Sequence, residues 1–103
     1  DVNPRVKGHT LVVPKQEVNY IYDISDDLLA DMIVFSKKVA KAVEKAVPCK
    51  RIGIMVLGLE VPHAHIHLMP IQSEGELSLS NPKFKMTEEE FIETAKKIRE
   101  NLI

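Results

Sequence analysis

Cysteine is almost absent from this chain of 103 residues, in which Cys49 is the only one. A single cysteine excludes an internal disulfide, and no Cys-based zinc spacing exists. This usage is typical of a reducing compartment, so the sequence predicts a cytoplasmic protein. No apolar run approaches the length of a membrane span and no signal-peptide pattern is present, so we expect no membrane partner.

An excess of charge of either sign is also missing. Lysine and arginine number 14, aspartate and glutamate 15, and the formal net charge is −1. Binding to nucleic acid depends largely on neutralising phosphates with basic side chains. Because the sequence contains no polybasic block, we expect no nucleic-acid partner. The hydrophobic fraction of 45% is ordinary and predicts one small domain over residues 1–103, near the size at which oligomerisation helps stability.

Two helices are predicted from their ends and their periodicity. Ser25 has the properties of a helix N-cap, and Pro48 ends the apolar periodicity that follows it, which predicts one long helix between them. Thr87 and Glu90 form a capping box ahead of a terminal helix. The predicted apolar face of that helix consists of Phe91, Ile92, Ala95, Ile98 and Leu102;.

Runs of β-branched and apolar residues predict strands at 8–14, 51–57 and 63–71;. A further extended piece is expected at 18–22, and the polar stretch 72–86 is expected to be a loop. The connection between residues 57 and 63 is so short that the strands it joins should pair antiparallel. The predicted order is therefore β-(β)-α-β-β-α, an α+β fold with an antiparallel sheet.

The most informative pattern is the alternation of three histidines, His63, His65 and His67. In a strand, residues two apart share a face, so a strand here would carry the imidazoles on one side and apolar side chains on the other. Three imidazoles in a row are difficult to bury, because each ring nitrogen needs a partner. The pattern therefore indicates a functional site rather than core packing.

Three hypotheses explain these histidines. In the first they hold a metal ion, although His63 and His67 would lie about 13 Å apart along an extended strand, too far for one ion without curvature. In the second, one histidine is a nucleophile toward phosphorus, since a neutral imidazole brings no negative charge to a phosphate. Its neighbours would then bond phosphoryl oxygens or assist the leaving group. In the third, all three are hydrogen-bonded or solvated on an exposed face.

Two blocks of the sequence resemble the histidine triad (HIT) family, in particular its bacterial branch of nucleoside phosphoramidases. Residues 61–69, Val-Pro-His-Ala-His-Ile-His-Leu-Met, resemble the motif in which histidines alternate with hydrophobic residues. Residues 1–4 and 7–15 resemble the family's second block. The resemblance implies an α+β fold with an antiparallel sheet and a homodimer joined across a strand and the long helix. It also implies hydrolysis or transfer at the α-phosphate of nucleotide conjugates, such as phosphoramidates or dinucleotides.

The three histidines of the motif acquire catalytic roles from this resemblance. His65 would attack phosphorus and form a nucleotidyl-histidine, which water then hydrolyses. His63 would support the orientation of His65, and His67 would contact phosphoryl oxygens. The mechanism requires no cofactor and no metal, although a zinc ion could occupy the imidazoles adventitiously.

Substrate-binding roles are implied for three further residues. His9 would lie near the phosphate, and Asp1 would accept hydrogen bonds from the ribose hydroxyls. Gly58 is a tight-turn residue, and a glycine there also lets a phosphate approach the backbone. The resemblance implies a purine nucleotide as the small-molecule partner. The family's N-terminal segment, which lines its base pocket, is expected to be missing from this chain.

Leu59 and Glu60 depart from the family pattern, in which polar neutral residues are common at these positions. A carboxylate near a phosphate repels it, so Glu60 is expected either to point away or to favour a cationic leaving group such as an amine. The departure keeps open a nucleotide-binding or interaction protein with little turnover. A histidine metal-binding protein is the second alternative, and it rests on the three histidines themselves.

Overall fold

The computed structural model describes residues 1–78 and 80–102. Its strands are β1 (Thr10–Val12), β2 (Arg51–Met55) and β3 (Ile66–Ile71). Its longer helices are α1 (Asp26–Ala46) and α2 (Glu88–Asn101). Two short 3-10 helices span Ile21–Asp23 and Glu74–Leu77. The predicted α+β class is confirmed, and so is the predicted order of the three strands and the two longer helices.

β3 is the central strand of the sheet, because β1 and β2 pair with its two edges in the order β1-β3-β2. Both pairings are antiparallel, as the short connection between β2 and β3 predicts. The register places Leu11 of β1 and Met55 of β2 on either side of His67. Every residue of β3 is buried, so the side chains on both faces of this strand are covered by other parts of the protein.

Helix α1 begins where the sequence predicts. The Ser25 hydroxyl accepts a hydrogen bond from a backbone N–H of the first turn at 3.3 Å, and the helix ends shortly before Pro48. Its buried side chains Met32, Val39 and Val43 belong to the same hydrophobic core as β3. The spacing of the apolar residues therefore predicts both the helix and the face of the helix that packs on the sheet.

Helix α2 begins after the predicted capping box, in which Thr87 and Glu90 each accept from the other's backbone N–H. Ile92 is predicted on the apolar face but is 59% exposed, whereas Thr94 is buried. The sequence thus identifies the helix correctly and misplaces one edge of its buried face. In the described part of the chain, neither helix combines the length and apolarity that a membrane crossing needs.

Two predictions about the connecting segments need correction. Residues 18–22 do not form one extended piece, because the extended residue Tyr20 is followed directly by a 3-10 helix, Ile21–Asp23. Ile21 and Ile24 are both buried, and a single turn brings residues three apart to the same side. The loop predicted at 72–86 contains a second 3-10 helix, Glu74–Leu77.

Gly8 shapes the turn that leads into β1. Its φ is +84°, and a Cβ there would lie 2.9 Å from Val47 Cγ2 and 3.1 Å from Pro70 Cγ. We expect Gly8→Ala to destabilise the fold by about 2–4 kcal/mol, because backbone strain adds to overpacking. Gly75→Ala is the matched control, since a Cβ at Gly75 meets nothing within 4 Å. Equal urea midpoints for the two variants would contradict this expectation.

Candidate functional site

Among the three histidines of the motif, His67 is the one that lies on a strand of the sheet. It lies on β3 between Leu11 and Met55 of the neighbouring strands and is 6% exposed. Its neighbours Ile66 and Leu68 belong to the hydrophobic core. Over this part of the motif the predicted alternation is confirmed, with apolar side chains toward the core and the imidazole toward the opposite side.

The strand does not extend back to His63, contrary to the prediction, because β3 begins at Ile66. Residues 59–63 form a bend, within which the His63 N–H donates to the Val61 carbonyl at 2.9 Å. The His63 ring donates from Nε2 to the Pro14 carbonyl at 3.0 Å, since a carbonyl oxygen only accepts;. The carbonyl of His63 accepts from Nδ1 of His65 at 2.7 Å. The expectation of three imidazoles on one strand face is therefore wrong, because His63 and His65 both precede the strand and only His67 lies on it.

His9 completes a cluster of three imidazoles with His65 and His67. His9 Nε2 lies 2.8 Å from His67 Nδ1, and His65 Nε2 lies 3.1 Å from His67 Nε2. His9 is 4% exposed and precedes β1 directly. The pairing of β1 with β3 thus brings together the two separate blocks that resemble the HIT family.

Asp1 and Gly58 lie in the same cleft as the histidines. The Asp1 carboxylate accepts from the Asn3 N–H at 2.8 Å and lies 3.6 Å from Nε2 of His9. Gly58 has a φ of +89°, and a Cβ there would meet nothing within 4 Å. The space beside this backbone is therefore open. The structure brings all six candidate residues to one cleft of about 690 Å³, lined by Asp1, His9, Gly58, His63, His65 and His67 among others.

The cleft also contains two basic residues that the sequence did not single out, Arg5 and Lys83. Arg5 lies four residues before His9, between the two segments 1–4 and 7–15 of the second block, so its position along the chain could have identified it. Lys83 comes from the segment 72–86, which carries no motif. Its Nζ donates to the Asn3 side-chain oxygen at 3.2 Å, and this contact links the segment to the cleft.

The two innermost imidazoles are neutral near neutral pH. Burial, followed by the charge of His67, lowers the pKa of His9 from 6.5 to about 4. Burial, followed by the charge of His65, likewise lowers the pKa of His67 to about 4. A neutral imidazole has one N–H and one lone pair. The rings therefore join through hydrogen bonds rather than repel one another as cations.

A metal ion bound at this cluster would have to replace the hydrogen bond between His9 and His67. Asp1, His9 and His67 each offer one ligand atom, and these atoms lie within 4.8 Å of one another. A zinc ion bound through His9 Nε2 and His67 Nδ1 would need a lone pair on both nitrogens. These nitrogens are 2.8 Å apart, a hydrogen-bond distance at which one of them carries a proton.

Comparison by sequence and comparison by structure relate this chain to the same family. The HIT domain family matches residues 1–74. A HIT-like protein of Methanocaldococcus jannaschii is 39% identical over 88 residues, which are 75% of this chain and 64% of that protein. The adenosine 5'-monophosphoramidase of Saccharomyces cerevisiae is 32% identical over 75 residues, which are 72% of this chain and 48% of that protein.

Among solved structures, a HIT-like protein of Bartonella henselae superposes with a TM-score of 0.80 at 32% identity, over 98% of this chain and 75% of that one. The chain spans about half to two thirds of the length of the two curated relatives. Its antiparallel sheet and two helices match the fold of this neighbour. The chain therefore belongs to the HIT domain family.

Proposed function

We propose that this protein hydrolyses nucleotide conjugates at the α-phosphate, with nucleoside phosphoramidates as its substrate class, through a covalent bond to His65. The observation behind the proposal is the 2.7 Å contact between His65 Nδ1 and the His63 carbonyl. Because a carbonyl oxygen only accepts, Nδ1 carries the proton of neutral His65, and Nε2 keeps the lone pair. The His65 ring lines the cleft, so a nucleophilic nitrogen is available there.

In the first step, Nε2 of His65 attacks phosphorus, an N–P bond forms, and the bond from phosphorus to the amine nitrogen breaks. The amine leaves with a proton from solvent, and the nucleotidylated ring becomes positively charged. The His63 carbonyl stabilises this charge, since hydrogen bonds to charged groups are the stronger ones. In the second step water attacks phosphorus and the N–P bond breaks. The nucleoside monophosphate leaves, the water proton passes to solvent, and His65 is neutral again.

Other residues of the cleft fit supporting roles. His67 Nε2 lies 3.1 Å from His65 Nε2, next to the attacking atom, where it would bond a phosphoryl oxygen. Asp1 would accept hydrogen bonds from the ribose hydroxyls, as the family motif implies. Gly58 would admit a phosphoryl oxygen to the backbone, because the space that a Cβ would face is open;. His63 would act as a positioning residue, through its carbonyl and its bond to Pro14.

Charge in the cleft favours a phosphoramidate over a dinucleotide with several phosphates. Arg5 and Lys83 are offset by Asp1 and Glu60, which line the same cleft. The cleft therefore has no excess of positive charge to attract a polyphosphate. The leaving nitrogen needs a proton as the P–N bond breaks, and Glu60 would attract the positive charge that this proton brings. A preference for purines stays a prediction from the resemblance.

The proposal is tested by AMP release from an adenosine 5'-phosphoramidate and from diadenosine tetraphosphate, each with and without EDTA. We expect faster release from the phosphoramidate and no effect of the chelator. AMP binding by calorimetry, without release from either compound, would favour the nucleotide-binding alternative instead. Release that the chelator abolishes would favour the metal-binding alternative.

We further propose a homodimer, as the family resemblance implies. Among the described strands, β2 pairs only with β3, and its residue Ile54 is 52% exposed. Val34 and Phe35 of α1 are 68% and 51% exposed. An open strand edge with apolar side chains favours a second copy, because pairing satisfies the edge and buries them. Light scattering at micromolar concentration should give the mass of two chains, and the mass of one chain would contradict the dimer.

A further inference from the structure

A continuous series of hydrogen bonds joins a backbone donor to a backbone acceptor through three imidazoles. It starts at the Arg5 N–H, which lies 3.1 Å from Nδ1 of His9. It continues from His9 Nε2 to His67 Nδ1 at 2.8 Å, and from His67 Nε2 to His65 Nε2 at 3.1 Å. It ends at the His63 carbonyl, 2.7 Å from His65 Nδ1.

The two ends of this series determine every proton within it. The Arg5 N–H only donates, so His9 Nδ1 accepts, and the proton of neutral His9 is on Nε2. His9 therefore donates to Nδ1 of His67, whose own proton is then on Nε2 and is donated to His65 Nε2. Starting from the His63 carbonyl, which only accepts, gives the same protons in the reverse order. Both ends therefore favour the same tautomers, and these are held fully only while both end contacts are present.

Two further observations agree with this assignment. The Asp1 carboxylate lies 3.6 Å from His9 Nε2, where an N–H is electrostatically preferred to a lone pair. His9 and His67 are also buried, so water does not readily replace a lost partner. The other tautomer of His9 would set its Nδ1–H against the Arg5 N–H and leave both donors without an acceptor, which is unfavourable.

We propose that the backbone N–H of Arg5 is a positioning group of this site. By holding His9 as the Nε2–H tautomer, it makes His67 a donor at Nε2, beside the attacking nitrogen of His65. Its part in catalysis rests on the proposed function. A phosphoryl oxygen only accepts, so His67 can bind it without changing tautomer. When His67 turns its N–H to the substrate, the lone pair of His65 is released for attack.

The backbone around Arg5 holds this N–H in place. On one side, the Pro4 carbonyl accepts from the Phe84 N–H at 2.7 Å. On the other side, the His9 N–H donates to the Val6 carbonyl at 3.2 Å and closes the turn. The amide is therefore oriented before a substrate enters, which is the condition for positioning without a cost during the reaction.

The direct test is the ring ¹⁵N NMR spectrum of the substrate-free protein near neutral pH, with each histidine assigned by its own substitution to glutamine. We expect Nε2–H at His9 and His67, Nδ1–H at His65, and a scalar coupling across the hydrogen bond from the Arg5 amide nitrogen to His9 Nδ1. An Nδ1–H form of His9 or His67, or a missing coupling to Arg5, would overturn the proposal. Because no substrate is present, this result does not depend on the proposed function.

Two variants separate the Arg5 N–H from the Arg5 side chain. Arg5→Ala keeps the N–H, so the ring tautomers should be unchanged. Arg5→Pro removes it, so only the His63 carbonyl end still favours these protons. A fraction of His9 should then appear as the Nδ1–H tautomer, and kcat for AMP release should fall by about tenfold or more, with a smaller change in KM. Unchanged tautomers in a folded Arg5→Pro protein would overturn the proposal. If that variant does not fold, the spectrum of the unsubstituted protein decides. The expected tautomers without any AMP release would refute the proposed function and not the role of the N–H in fixing them.

Discussion

Replacing His65 by glutamine is expected to lower kcat/KM for AMP release from an adenosine phosphoramidate by about 10³-fold or more. The substitution removes the Nε2 lone pair that attacks phosphorus, and an amide nitrogen is not a nucleophile. A glutamine carbonyl can still accept from His67 Nε2, which lies 3.1 Å from His65 Nε2. The affinity for AMP should therefore change by less than about tenfold. Steady-state kinetics and calorimetry measure the two effects separately.

His63→Gln is the matched control, because His63 belongs to the same motif but bonds the Pro14 carbonyl at 3.0 Å. A glutamine amide can also donate to that carbonyl, and the backbone carbonyl that holds His65 is kept. We expect the loss of kcat/KM in this variant to stay below about tenfold. Equal losses in the two variants would contradict the assignment of the attack to His65.

Acidification from about pH 6.5 to about pH 4 is expected to destabilise the fold. Burial holds the pKa of His9 and of His67 at about 4 in the folded protein, against 6.5 without burial. As the pH falls, the unfolded chain therefore binds protons first. The stability is complete above about pH 6.5 and is lost as the pH falls toward about 4. Each histidine contributes up to about 1.4 kcal/mol per pH unit within this window.

Urea unfolding at a series of pH values measures this loss. A double variant with His9→Gln and His67→Gln lacks both buried imidazoles, so its midpoint should depend less steeply on pH than that of the unsubstituted protein. If the two proteins show the same slope between about pH 6.5 and about pH 4.5, the rings are not held neutral by burial.

Signals within a few residues predict most of this fold. Ser25 and the Thr87–Glu90 box mark the starts of both longer helices, because a cap depends only on the turn that follows it. The prediction for 18–22 fails because Ile21 and Ile24 are both buried, and burial of a short segment outweighs its intrinsic preference. This outcome depends on distant parts of the chain, which no local pattern describes.

The residues of the candidate site are easier to predict than their geometry. Alternation identifies His65 and His67, but His63 is held by the carbonyl of Pro14, 49 residues away in the sequence. Lys83 reaches the cleft through Asn3, 80 residues away. The Arg5 N–H is a main-chain group, so its position depends on the turn and not on the identity of the side chain. The single domain over residues 1–103, the cytoplasmic location and the absence of a nucleic-acid or membrane partner stay predictions.

A nucleotidyl bond at His65 is tested most directly by intact-mass spectrometry of the protein during turnover of excess adenosine phosphoramidate, quenched rapidly in mild base. We predict a fraction of the protein that is heavier by one adenylate group. Peptide mapping should locate this group on His65, and it should be absent from His65→Gln. Turnover without any adduct, or an adduct on another residue, would contradict the proposed mechanism.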